Sequence, residues 1–137
     1  MAAYKPVEIN LGHLPEFPGQ EKTLEFSTSF PGGVKEILLY SFATTRAEGP
    51  FQRGYYEIYT KEGDNKYKQY LNIATGGNVA AVNSANMWFP AGEGKVTITL
   101  IHPQDKKVSV AHKETGDSAQ DPLRGKWSSV FVIGYRQ

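Results

Sequence analysis

The residues best suited to chemistry gather between Asn78 and Trp88. Asn78, Asn83 and Asn86 lead up to the Trp88 indole, and the turn Pro90-Ala91-Gly92 follows. An asparagine amide both donates and accepts hydrogen bonds, and an indole offers a wide apolar face with one polar tip. These are the groups that hold a sugar, whose ring has an apolar side and a rim of hydroxyls. Asn78, Asn83, Asn86 and Trp88 therefore form the candidate ligand-binding set, with a glycan as the ligand. Trp88 reads either as core packing or as an exposed platform, because indoles prefer sites with one wet side. Tyr55, Tyr56, Tyr59, Tyr67 and Tyr70 form a second aromatic group. On paired strands alternate tyrosines face opposite sides, so one set packs inward and the other stacks on sugars, lines a subunit contact or forms cross-strand pairs.

Other chemistries find less support. His13, His102 and His112 lack the spacing of a helical metal pair, no serine sits in a G-x-S-x-G elbow, and the absence of cysteine removes thiolate nucleophiles and thiolate zinc sites. Gly92-Glu93-Gly94-Lys95 fails as a phosphate loop: Phe89 stands where the first glycine belongs, and Val96 follows the lysine. Glu62-Gly63-Asp64-Asn65 reads as a hairpin turn, since it lacks the alternating acids and late glutamate of an EF-type calcium loop. Glu114, Asp117 and Asp121 read as a solvated loop. No cofactor or metal is expected, and the leading reading is non-enzymatic. The enzymatic alternative is a buried carboxylate such as Glu25 or Glu57 acting as acid or base on a small polar substrate inside a barrel.

A chain of 137 residues fits one domain, 1–137, and buries enough surface to need no disulfide. Fifteen basic residues against fourteen acidic ones, dispersed along the chain, leave a net charge of +1 and no nucleic-acid footprint. No stretch reaches the length of a membrane span, and the N-terminus has no apolar signal segment. The expectation is a soluble protein, cytoplasmic or released by a non-classical route.

Strands must position these residues. Fourteen glycines, eight prolines, eight tyrosines and seven phenylalanines in so short a chain favour many short strands and tight turns. Period-2 patterning predicts strands near Tyr4–Leu11, Lys22–Phe30, Val34–Ala43, Gly54–Lys61, Tyr67–Ala74, Asn78–Val82, Lys95–Ile101, Lys107–His112 and Trp127–Tyr135. The run Ile37-Leu38-Leu39-Tyr40-Ser41-Phe42 predicts a central strand covered on both faces. Turn chemistry predicts two antiparallel hairpins, one through Glu62–Asn65 and one through His102–Asp105. Trp127 is expected to pack at the start of the last strand. The fold class is all-β: an antiparallel two-sheet sandwich of the jelly-roll kind, with eight or nine short strands and almost no helix. A closed barrel is the alternative.

The segment Lys22-Thr23-Leu24-Glu25-Phe26-Ser27-Thr28-Ser29-Phe30, followed by Pro31 and Val34-Lys35-Glu36-Ile37-Leu38-Leu39, resembles the opening strands of the H-type lectins. Trp127–Tyr135 is similar to their last strand, and Trp88–Ile101 to a Trp-turn-strand of small galactose-binding bacterial lectins. The likeness to H-type lectins covers under a third of the chain and carries over no site residue. It implies a small trimer-forming β-sandwich that binds N-acetylgalactosamine. The resulting expectation is a carbohydrate-binding, lectin-like module made multivalent by homo-oligomerisation. The alternative is a structural or adhesive oligomeric jelly-roll subunit without a sugar ligand.

Overall fold

In Lys95–Ile101 the alternation becomes a strand whose Val96, Ile98 and Leu100 are fully buried, and the same period organises most of the chain. The computed structural model describes residues 4–15, 19–30, 32–46, 52–75, 81–101, 109–110 and 128–137. Nine strands appear among them: β1 (Tyr4–Gly12), β2 (Glu21–Glu25), β3 (Glu36–Arg46), β4 (Gln52–Glu62), β5 (Asn65–Thr75), β6 (Ala81–Pro90), β7 (Lys95–Ile101), β8 (Ser109–Val110) and β9 (Ser128–Arg136). The only helical element among the described residues is a 3-10 turn at Ser27–Ser29.

The strands form two antiparallel sheets, in the orders β1-β9-β3-β6 and β2-β7-β4-β5. The short β8 takes over from β9 along the same edge of β3, pairing with Thr45 and Arg46. Successive strands cross repeatedly between the sheets, and only β4 and β5 remain neighbours as a hairpin, which is jelly-roll winding. Ile37, Leu39, Met87, Phe89, Val130 and Val132 of the first sheet meet Tyr56, Ile58, Leu71, Ile73, Ile98 and Leu100 of the second to make one core. The hairpin turns at Gly63-Asp64, between paired Glu62 and Asn65, with Gly63 at φ +58°, the left-handed conformation that tight hairpins require.

Three elements differ from the sequence-based expectation. The strand predicted over Lys22–Phe30 ends at Glu25, because the Gly94 carbonyl accepts from the N–H groups of both Phe26 and Ser27 (2.8 and 3.1 Å) and turns the chain into the 3-10 helix. Phe26 still reaches the core at 1% exposure, and Phe30 folds back edge-on to Phe26 and Tyr135. Instead of stopping at Val82, the strand carrying the asparagines runs from Ala81 to Pro90, held by ten register pairs with β3. The predicted second hairpin does not form: β7 lies in one sheet and β8 pairs with β3 in the other. A turn signal marks a change of direction, and the winding decides which sheet the chain enters next. Residues 102–108 and Trp127 lie outside the described residues, as do His102, His112, Glu114, Asp117 and Asp121.

Side chains also tie β5 to β6, the neighbouring edge strands of opposite sheets. Asn83 accepts from the Ala74 N–H through Oδ1 (3.2 Å) and donates to the Ala74 carbonyl through Nδ2 (3.3 Å). Further along, Gln69 Nε2 donates to the Trp88 carbonyl. Polar backbone at a sheet edge is a template for unwanted pairing, and these amides occupy part of it.

Candidate functional site

Strand periodicity sorts the four residues singled out in the sequence. On β6, Met87 and Phe89 point into the core, and Asn83 shares their inward face, where it clamps Ala74. Asn86 and Trp88 lie on the opposite, outward face. The structure therefore brings Asn86 and Trp88 together and sends Asn83 to the other side of the sheet. Asn78 lies outside the described residues.

Trp88 is half-buried, and its surroundings explain why. It pairs with Leu38 of β3, and it reaches across β3 to meet groups from β9 and β1. The Arg136 guanidinium lies 4.0 Å from the centre of the indole, and the Tyr4 ring meets it edge-on at 5.8 Å. Arg136 also approaches Glu36 at 3.7 Å. The Tyr4 hydroxyl donates to the Ile133 carbonyl (3.0 Å), and its ring lies over Gly134, where a Cβ would fall 1.9 Å from it. An indole already stacked with a guanidinium has less open face for a ligand ring. Beside it, Tyr40 lies opposite Asn86 and packs on Phe42 (5.9 Å) and Phe131 (6.4 Å). The centre of this outward face, around Tyr40, is thus aromatic and aliphatic.

The outward face of the other sheet is different in kind. On β4, Tyr55, Glu57 and Tyr59 alternate outward while Tyr56 and Ile58 are buried. Register places Tyr70 of β5 and Thr99 of β7 on either side of Glu57. A carboxylate thus stands among three tyrosines and a threonine. Tyr55 and Tyr70 meet edge-to-face at 5.7 Å, and Tyr70 is 50% exposed. Lys68 reaches Glu57 at 3.9 Å, Lys66 sits 4.9 Å from the Tyr59 ring, and exposed Asn72 lies opposite Tyr55. Open aromatic rings, a carboxylate, an ammonium, a hydroxyl and an amide thus share one face. Such a set provides stacking surface together with donors and acceptors. The signal for it was present in the chain: Tyr-x-Glu-x-Tyr puts the three on one face, and the two-residue turn, counted back, sets Glu57 opposite Tyr70.

The carboxylates expected to be buried for acid–base work are neither buried nor adjacent: Glu25 is exposed and Glu57 half-buried. Glu25 lies opposite Lys95 on β7, and Glu57 lies opposite Thr99 on the other edge of that strand. Two strand spacings and four residues put them roughly 16 Å apart, against about 5–9.5 Å for two carboxylates flanking a glycosidic bond. Glu25 accepts from the Ser27 hydroxyl (3.1 Å). His13 bonds the Ser128 carbonyl through Nδ1 and so serves to tie β1 to β9. Among the described residues no group of three or more His, Asp or Glu could hold a metal ion, and no helix is long and apolar enough to cross a membrane.

One cleft of about 260 Å³ opens at an end of the sandwich, between the 3-10 turn and the Ala91–Gly94 turn. Phe26, Phe30 and Val34 form its apolar part, and among the described residues Ser27 and Glu93 supply its polar side chains. It offers fewer convergent polar groups than the tyrosine face. No protein-family model matches the chain, and no curated protein matches it.

Proposed function

We propose that this jelly roll is a non-enzymatic carbohydrate-binding module, multivalent through homo-oligomerisation, whose glycan platform is the outward face of β4 and β5. The observation that carries the reading is Glu57 set among Tyr55, Tyr59 and Tyr70, with Tyr70 half exposed and Lys68 and Asn72 beside them. Tyrosine rings take the apolar side of a pyranose, and the carboxylate, amide and ammonium take its hydroxyls. This moves the platform away from Trp88, whose indole is stacked with Arg136. A shallow face gives weak binding per site, about millimolar or −4 kcal/mol, so useful avidity comes from several copies acting together.

A glycan array followed by calorimetry on the best ligand tests the proposal. Tyr70→Ala and Glu57→Gln should each weaken binding tenfold or more while the melting temperature stays within a few degrees. Trp88→Ala should leave the affinity of a single site unchanged. Absence of any glycan signal, or full binding by Tyr70→Ala, refutes the reading. A ligand-free adhesive subunit is the second reading, favoured by the apolar outward face around Tyr40.

A further inference from the structure

We infer that the outward face of the β1-β9-β3-β6 sheet is the surface on which a second copy of this chain docks. The inference rests only on the multivalent part of the proposed function and names the surface that produces it. A sandwich normally hides its apolar residues between the sheets and shows alternate polar ones to water. Here Leu38, Tyr40 and Phe42 of β3 face outward between Glu36 and a buried Thr44, and Phe131 and Trp88 flank them on β9 and β6. Ser129, opposite Phe42, is buried as well, so the open patch centres on Leu38, Tyr40, Phe131 and Trp88. These four and Phe42 are only half-buried, and the exposed side chain of Val82 extends the patch at 69% exposure. The opposite sheet presents lysines, glutamates, threonines and tyrosine hydroxyls, so the two faces of one sandwich divide into an apolar one and a polar one.

The size of the patch suits a second copy. The three strands that carry these residues, about 4.8 Å apart, and six residues of β6 at about 3.4 Å each give a footprint of roughly 300 Å². Two such faces in contact bury roughly 600 Å² as an apolar centre. A polar margin of Ser84, Asn86, Glu36 and Arg136 extends this toward the roughly 1,200–2,000 Å² of a stable interface. Charge does not oppose the contact. Glu36 and Arg136 approach each other within the face at 3.7 Å, so like faces meet without net repulsion. The amides of Asn83 and Gln69 occupy backbone groups along the β5–β6 side. Growth by adding strands at that side is thereby blunted, and face-to-face closure under rotational symmetry is the contact that covers the apolar patch.

The whole chain is tested by analytical ultracentrifugation, with far-UV circular dichroism as the folding control. The parent should sediment as a multiple of 15.2 kDa at tens of micromolar, and Tyr40→Lys should shift it to the monomer with an unchanged β spectrum. Phe131→Lys serves if Tyr40→Lys does not fold. Because the chain has no cysteine, a single spin label on Asn86→Cys reads the contact directly. Labels there should lie within about 25 Å of each other in the oligomer, and labels on Asn72→Cys, on the opposite face, should lie well beyond that. An oligomer that survives both lysine variants, or that brings the Asn72 labels together instead, overturns the docking face and leaves multivalent glycan binding standing. A monomeric parent overturns the docking face and the multivalency together, including the case where the monomer binds neutral phosphatidylcholine vesicles through the patch. Glycan titration of Tyr70→Ala judges the sugar site separately in every case.

Discussion

Replacing Asn83 by alanine separates a ligand-contacting asparagine from one that holds the sandwich together. The Asn83 amide bonds the Ala74 N–H at 3.2 Å and the Ala74 carbonyl at 3.3 Å, joining β6 of one sheet to β5 of the other. Each neutral hydrogen bond contributes about 0.5–1.5 kcal/mol net, so losing both should cost about 2 kcal/mol. At about 4 °C per kcal/mol for a domain of this size, the melting temperature should fall by roughly 8 °C. Asn83→Asp keeps the acceptor for the Ala74 N–H, loses the donor and points a carboxylate at the Ala74 carbonyl. It should cost at least as much as alanine, although it retains one of the two bonds. Thermal and urea unfolding followed by circular dichroism supply the stabilities, and calorimetry on the monomeric Tyr40→Lys background supplies the single-site glycan affinity. Asn83→Ala should melt early and bind glycan as its background does. A variant that melts with the parent and loses glycan would refute the assignment and return Asn83 to the binding site.

Gly94 holds φ +81°, and a Cβ there would lie 2.4 Å from Ser27 Cβ. Gly94→Ala should therefore lose about 2–4 kcal/mol from backbone strain and from disturbed bonds to Phe26 and Ser27, and adding Ser27→Gly should recover part of it in urea titrations. Tyr56 is fully buried with its hydroxyl donating to the Pro15 carbonyl at 2.8 Å, so Tyr56→Phe should cost about 1–2 kcal/mol by the same measurement. Thr60 is also fully buried, and its hydroxyl has no hydrogen-bond partner among the described residues. Thr60→Val keeps the shape and removes the desolvated group, so it should raise stability by about 1 kcal/mol; a lower melting temperature would show that the hydroxyl is satisfied.

Much of this protein is local and therefore legible in the chain. Alternation of apolar and polar residues assigns side chains to two faces within a strand, because successive residues point opposite ways. That rule alone puts Val96, Ile98 and Leu100 inside and groups Tyr55, Glu57 and Tyr59 on one face, which the structure turns outward. A two-residue turn extends the reach to a neighbouring strand by setting its register, so Glu57 opposite Tyr70 was available before any coordinates. The nine strands, the single 3-10 turn among the described residues and the crossing of the chain between two sheets agree with the all-β jelly-roll expectation.

What remained was decided by contacts between residues far apart in the chain. Alternation along β6 separates Asn83 from Asn86 and Trp88, but only once the strand is known to run unbroken from Ala81 to Pro90, and pairing with β3 is what establishes that. The Gly94 carbonyl ends β2 from nearly seventy residues away, and no pattern within Lys22–Phe30 contains that acceptor. The composition after β7 implied a hairpin with the next strand, yet β8 joins β3, because strand order is set by which faces must cover the core. The run Ile37–Phe42 likewise announced a strand apolar on both sides. Only the assembled sandwich showed that the second sheet covers Ile37 and Leu39 and leaves Leu38, Tyr40 and Phe42 facing outward. Periodicity names the two faces of a strand, and tertiary packing alone determines what each face meets.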